Sequence, residues 1–397
     1  MATIVDICWS LIGGLYATAK ETPLPILLLV VLTTTISTLA FIYALVYVLA
    51  PVPRAPHPSE KTYITTSGSS SSATAPRPLP CWHDAWLTHR KEAATKNGKE
   101  KDNDDVHTGT IDEAEVEMSV VIPAYNEEER IEMMLEEAVA FLDDEYGRVP
   151  LAAGKHKGKV NGSAGGQGMG MGGYEILIVN DGSKDKTVDV ALDFSRKKGL
   201  HDILRVCTLK ENRGKGGAVT HGFRHVRGAY AIFADADGAS KFEDSRKLVR
   251  GCKGIEDGTA RGIAVGSRAH LVGSEAVVKR SALRNALMHS FHLLLRLLTP
   301  PATSRIRDTQ CGFKLFSRAA LPHIVPYMHV EGWIFDVEML MLAESAPAPV
   351  SAAEATGKGN TNLNSGIRVA EVQIGWHEFG YGVGIGDFEG ELDFGSL

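Results

Sequence analysis

Tyr230-Ala-Ile-Phe-Ala-Asp-Ala-Asp-Gly-Ala-Ser240 is the stretch that decides the fold. Ala231 to Ala234 is a short apolar run, too tightly bounded for a helix, and reads as a buried strand. It runs directly into Asp235-Ala236-Asp237-Gly238, two carboxylates one residue apart at the C-terminal end of that strand. In open α/β sheets, ligands sit beyond the carboxyl ends of the strands. Two hard oxygen donors beside a glycine turn suit Mg²⁺ or Mn²⁺ shared with phosphate oxygens. An isolated Asp-x-Asp is more often a solvated acidic turn than a site, so its neighbours carry the decision.

Upstream, Met118-Ser-Val-Val-Ile-Pro-Ala-Tyr-Asn126 predicts a strand over Ser119–Ile122 that Pro123 ends. Asn126 with Glu129 has the spacing of a capping box, and Ile131, Met134, Leu135, Ala138 and Leu142 fall on one helix face. Tyr174 to Asn180 predicts a second strand, ending in Asp181-Gly182-Ser183, and Ile203 to Leu209 a third, ending in Asn212-Arg-Gly-Lys-Gly-Gly217. The Asp-x-Asp strand is fourth and Gly262 to Gly266 fifth. Strands alternate with helical patterns, which predicts a mostly parallel, doubly wound sheet with helices on both faces.

Three further strand ends therefore converge on the Asp pair. Pro123, Ala124 and Tyr125 lie at the first, with Tyr125 placed to stack on a base. Asp181 lies at the second, as an acceptor for a base or ribose. Lys215 lies among glycines at the third, suited to a diphosphate at a helix N-terminus. The Gly-rich run lacks G-x-G-x-x-G spacing, so it is no dinucleotide fingerprint. Together these ends predict a nucleotide–metal site.

The rest of the chain sets the context. Of 397 residues, 23% are charged and the net charge is −6, which gives no sign of a nucleic-acid binder. Five scattered cysteines without a C-x-x-C pair argue against a zinc site and a disulfide framework. Thr22 to Pro53 carries no charge and residues 24–50 are apolar enough to span a bilayer. Arg54, Lys61 and Arg77 on its carboxyl side predict that the bulk of the chain is cytosolic, with residues 1–23 across the membrane. Residues 51–115, rich in Pro, Ser and charge, read as a flexible linker with a short helix around Trp82–His89. Two insertions, about 146–173 and 346–366, interrupt a domain over 116–378, and a Gly-rich acidic tail occupies 379–397.

Val120-Val-Ile-Pro-Ala-Tyr-Asn-Glu127, Val179-Asn-Asp-Gly-Ser183, Asn212-Arg-Gly-Lys-Gly216 and Ala234-Asp-Ala-Asp-Gly238 resemble the family-2 glycosyltransferases of GT-A fold. Val265-Gly-Ser-Arg268, Arg307-Asp-Thr-Gln-Cys-Gly-Phe-Lys314 and Glu331-Gly-Trp-Ile-Phe-Asp-Val-Glu338 narrow the resemblance to the dolichyl-phosphate β-glucosyltransferases. That resemblance implies transfer of glucose from UDP-glucose to dolichyl phosphate, with inversion, at the endoplasmic reticulum membrane for protein N-glycosylation. It further implies Asp235 and Asp237 as holders of Mg²⁺ or Mn²⁺, and Pro123, Ala124, Tyr125, Glu127, Asp181 and Lys215 around the nucleotide sugar. Asp237, Asp308, Gln310 and Lys314 are its catalytic candidates, and Arg268, Arg280 and Arg284 its clamps for the acceptor phosphate. Ala239 stands where mannose-type relatives carry a Gln metal ligand, so phosphates and water would complete the shell. Residues 276–298, with Leu283, Leu287, Phe291 and Leu294 beside Lys279, Arg280, Arg284 and Arg296, read as an interfacial helix suited to a lipid acceptor, or as a core helix. A GDP-mannose-dependent dolichyl-phosphate mannosyltransferase and a non-catalytic nucleotide-sugar-binding membrane protein are the alternatives open at this point.

Overall fold

The computed structural model describes residues 13, 20, 22–50, 52–68, 72–96, 111–149, 172–271, 298–348 and 366–376. Both predicted insertions, apart from their flanks, the interfacial helix except Leu298, and the C-terminal tail lie outside these residues. The chain divides into two units, the second beginning at Pro53.

In the first unit, α1 (Leu24–Leu49) is long and apolar enough to cross a membrane. Threonine hydroxyls within it bond back along the helix: Thr33 Oγ1 donates to Leu29 O at 2.9 Å and Thr35 Oγ1 to Val31 O at 2.8 Å. Such back-bonding satisfies a hydroxyl where no water is at hand.

In the second unit, the stretch expected as a flexible linker is instead packed from Pro53 to α2 (Trp82–Lys96). A 3₁₀ turn over Pro58–Lys61 leads to an antiparallel pair, β1 (Thr62–Tyr63) and β2 (Arg77–Pro78). Tyr63, Leu79, Trp82 and Trp86 are buried in the core, and Trp82 Nε1 donates to Phe223 O at 2.7 Å. Composition suggested a tether because Pro, Ser and charge dominate the segment. A few aromatic residues, spaced too irregularly to register as a period, are enough to dock it.

The main sheet comprises β3 (Val116–Ala124), β4 (Tyr174–Asn180), β5 (Leu204–Thr208), β6 (Gly228–Ala234), β7 (Ile263–Ser267), β8 (Phe313–Ser317) and β9 (Val369–Gln373). Their order is β5-β4-β3-β6-β8-β7-β9, all parallel except β8, which runs against both neighbours. Along the central strands successive side chains enter opposite cores. Val120, Ile122, Ile176, Ile178 and Ile232 face one layer, and Val121, Leu177, Val179 and Phe233 the other. A sheet buried on both faces explains these continuous apolar runs. Around it lie α3 (Ile131–Glu145), α4 (Thr187–Lys198), α5 (Gly214–Phe223), α6 (Ser245–Ile255), α7 (Pro301–Arg305) and α8 (Phe335–Glu344).

Two local expectations give way. Pro123 does not end its strand: β3 continues through Ala124, with Pro123 in register with Val179. Asn126 does not cap α3, whose N-cap is Arg130 without a side-chain bond. Asn126 instead takes a left-handed φ of 57°, and its side chain accepts from Lys184 N at 2.9 Å.

Candidate functional site

The carboxyl ends of β3, β4 and β6 open on one edge, because the three strands are parallel and in close register. A cavity of 590 Å³ sits there, lined by Pro123, Ala124, Tyr125, Glu127, Asp181, Lys215, Asp235 and Asp237 among others. Every residue assigned to the nucleotide sugar from sequence thus reaches one cavity, together with both residues assigned to the metal.

Charge in that cavity is crowded. Lys215 Nζ lies 2.7 Å from Asp235 Oδ1. Burial works to lower the Lys215 ammonium, but Asp235, Asp336 and Asp237 hold its pKa above the usual value. Asp235 is walled in by protein even though the cavity leaves its side chain 32% exposed. Burial raises its carboxyl, Lys215 opposes that, and Asp237 and Asp336 add to it. Glu127 is likewise raised, first by burial and then by Asp237 and Asp235, against the pull of Arg130. Asp181 is pushed up to about 6 by burial, despite bonds from the Arg213 and Gly214 amides. Its Oδ1 accepts from Arg213 N at 2.7 Å.

Two turns fix the Asp pair. Asp237 Oδ1 accepts from Ala239 N at 3.0 Å, and Gly238 takes a φ of 68° that closes the turn. Asp235 N donates to Gly312 O at 3.2 Å. A Cβ on Gly312 would lie 1.8 Å from Asp235 Oδ2, so only glycine fits against that carboxylate. The reversal of β8 makes this contact: its first residue, Phe313, pairs with Ala234 and so brings the preceding loop to the same edge.

Among the described residues, Arg268, Asp308, Gln310 and Lys314 do not line the cavity. Lys314 is fully buried on β8, where Nζ bonds Asp336 Oδ1 and the Cys311 carbonyl and lies 5.2 Å from the Phe233 ring centroid. Its charge is thus taken up inside the core and does not face the cavity. Arg268 is held by Asp308, with Nε to Oδ2 at 2.8 Å and Nη2 to Oδ1 at 3.0 Å. The Asp308 bond raises the Arg268 pKa; burial works to raise that of Asp308, and Arg268 overcomes it and holds it low. Their charges are spent largely on each other, and neither residue lines the cavity. Gln310 stands in the turn before Gly312 and does not line the cavity. Arg280 and Arg284 lie outside the described residues.

In the glycine run around Lys215, two amides are already engaged by the protein. Gly214 N bonds Asn212 Oδ1 at 3.0 Å, and Gly217 N bonds Glu331 O at 3.0 Å. A Cβ on Gly214 or Gly216 would come within 2.8 Å of the Glu331 or Val330 carbonyl. These glycines let the 330–335 segment lie against α5, which sets Gly332 and Trp333 on the cavity wall. Trp333 is 77% exposed, with Lys215 Nζ 6.0 Å from its ring centroid.

Sequence reasoning passed over Arg130, Asn212, Gly312 and Trp333 as site residues. Arg130 had a signal, three residues after Glu127 at salt-bridge spacing, and it pairs with Glu127 at 2.7 Å. Gly312 had none, since its partner is remote in sequence.

The chain matches known proteins over much of its length. A model described as Glycosyl transferase family 2 matches residues 164–324. The chain is 38% identical over 345 residues to a dolichyl-phosphate β-glucosyltransferase of Saccharomyces cerevisiae, covering 85% of this chain and 81% of that one. It is 46% identical over 235 residues to that of Drosophila melanogaster, covering 59% of this chain and 64% of the relative. A solved Mycobacterium tuberculosis glucosyl-3-phosphoglycerate synthase, in complex with Mg²⁺ and uridine diphosphate, aligns at a TM-score of 0.38 and 17% identity over 66% of this chain and 70% of its own, too distant to inform the site. The fold is GT-A, and the extent and identity of the yeast match establish that the chain belongs to the dolichyl-phosphate β-glucosyltransferase family.

Proposed function

We propose that this chain transfers glucose from UDP-glucose to dolichyl phosphate with inversion at the anomeric carbon, supplying a lipid-linked glucose for protein N-glycosylation. The observation that carries the reading is the convergence of Tyr125, Asp181, Lys215, Asp235 and Asp237 on one cavity at the sheet's carboxyl edge. Family membership supports the acceptor and the hexose.

Asp235 and Asp237 fit a divalent cation. They are hard oxygen donors, and Asp235 and Glu127 are both raised in part by their carboxylate neighbours, a local excess of negative charge. Mg²⁺ or Mn²⁺ held by the Asp pair would act as a Lewis acid on the donor diphosphate. Tyr125 presents a ring, 43% exposed, to a base, and Asp181 offers its carboxylate to base or ribose. Lys215 supplies a cation at the diphosphate. The acceptor is a phosphate monoester with a second pKa of about 6, largely dianionic at neutral pH, so its oxygen attacks with little need for a general base. One in-line displacement on an α-linked donor yields a β-linked product.

Arg280 and Arg284 remain the proposed clamp for the acceptor phosphate, within a basic, apolar stretch suited to a membrane surface. Its last residue, Leu298, is 74% exposed. The proposed layout is an α1 anchor in the endoplasmic reticulum membrane, residues 1–23 lumenal and the catalytic unit cytosolic.

The test is transfer of labelled sugar to dolichyl phosphate by the detergent-solubilised full chain, with UDP-glucose and GDP-mannose side by side in Mg²⁺ or Mn²⁺. Product from UDP-glucose alone supports the reading. Product from GDP-mannose alone moves the chain to mannosyl transfer, and no product from either overturns it.

A further inference from the structure

Glu60 is completely buried, yet it is a carboxylate three residues into a surface-borne segment. Burying a charge is costly unless it is well paired, and adhesion alone would be cheaper with an apolar side chain. Glu60 instead gathers donors. Its Oε1 accepts from Arg54 Nη2 at 2.7 Å and from Lys210 N at 2.9 Å, and its Oε2 from His57 N at 2.8 Å. Its main-chain carbonyl meets Cys207 Sγ and His221 Nε2, each at 2.9 Å, fastening the segment to β5 and α5.

The same segment touches the far end of the loop that begins at Lys210. Arg54 O accepts from Arg213 Nη2 at 2.8 Å, while Arg213 Nε reaches Glu331 Oε1 at 2.8 Å and Arg213 N holds Asp181. Two cavity walls therefore hang on this contact. One is Asp181, Asn212, Gly214 and Lys215; the other is Gly332 and Trp333, next to Glu331.

We propose that Arg54–Glu60 is a positioning strap for the donor loop, with Glu60 fixing Lys210 and Arg54 fixing Arg213, so that the segment preceding the catalytic sheet sets affinity for the nucleotide sugar. The assignment of the ligand rests on the donor reading above; the strap itself rests on the contacts. None of its residues touches the reacting atoms. Its action is on the geometry of Asp181 and Lys215, and it leaves the acceptor side alone.

Full-length Glu60→Ala, Glu60→Gln and Arg54→Ala proteins test this by three readouts: hydrogen exchange over 210–217, calorimetric binding of UDP-glucose, and the KM for dolichyl phosphate. In Glu60→Ala the loop should exchange about tenfold faster and UDP-glucose bind about fivefold more weakly, with the acceptor KM within about twofold of wild type. Glu60→Gln, which keeps an acceptor oxygen for one of the two amides but sets an NH₂ group against the other, should fall between. So should Arg54→Ala, which removes the ion pair but keeps the Arg54 carbonyl for Arg213; if Glu60→Ala does not fold, these two carry the test. Unchanged exchange overturns the strap. Faster exchange with unchanged donor affinity overturns it too, as does equal weakening toward donor and acceptor. Failure of the wild-type chain to bind UDP-glucose would sink the donor reading separately. The strap would then be judged by exchange together with GDP-mannose binding, run in parallel.

Discussion

Two groups of charged motif residues flank the end of β6, and they use their charge in opposite ways. On the β3–β4–β6 side, Asp181, Asp235 and Asp237 line a cavity, and burial lifts Asp181 and Asp235 above the usual carboxylate range. On the β7–β8 side, Lys314 is closed on Asp336 and Arg268 on Asp308. Desolvated charge crowded along a cavity is the mark of a binding site; ion pairs closed away from the cavity are the mark of the frame around it. Motif membership alone does not tell the two apart, because both are needed for the site to exist.

The sharpest way to break this distinction is Asp237→Ala. Loss of a cation-holding carboxylate should lower glucosyl transfer about 10³-fold, with the melting temperature close to wild type. Next comes Lys314→Met, which strands Asp336 in the core. It should cost about 3–5 kcal/mol of stability in denaturant unfolding, and Lys314→Met with Asp336→Leu should recover most of it. A catalytic lysine would show the reverse, lost turnover with intact stability. Gly312→Ala tests the join between the two sides. The added methyl must displace Asp235, and a shift of that size should reduce transfer about 100-fold in steady-state assays.

The smallest effect is on pH. Asp181 titrates near 6 when folded, against an ordinary value of 3.8. The folded chain holds that proton more tightly, so the stability it contributes is present below the ordinary value and is lost as pH rises through about 6. Asp181→Asn should therefore melt higher than wild type at about pH 7.5, and the margin should shrink toward about pH 4.5. UDP-glucose binding to wild type should weaken a few-fold as pH falls below about 6, and the asparagine variant should lose that dependence.

The donor side was legible in sequence because each of its residues follows a strand with a clear apolar pattern, and parallel strands put their ends together. Asp181 and Asp235 needed only that rule. The candidates around β7 and β8 were read from linear motifs, which do not show that Lys314 points inward on a reversed strand. β8 was itself invisible as a reversal, since Phe313–Ser317 has the same apolar character as the parallel strands of the sheet. The strap was missed for the opposite reason. Its composition is polar, and its burial depends on Tyr63, Trp82 and Trp86 meeting surfaces that no local period announces. Gly312 and Gly216 owe their identity to close approach by remote residues, a constraint that only the folded chain displays.

The most direct measurement is calorimetric binding of UDP-glucose in Mn²⁺ to three full-length proteins: wild type, Asp237→Ala, and Lys314→Met with Asp336→Leu. Binding lost in Asp237→Ala but kept within about threefold in the double variant is the predicted result, since one change removes cavity charge and the other replaces a closed pair. Binding kept in Asp237→Ala and lost in a folded double variant would contradict it, and would place the donor on the β8 side.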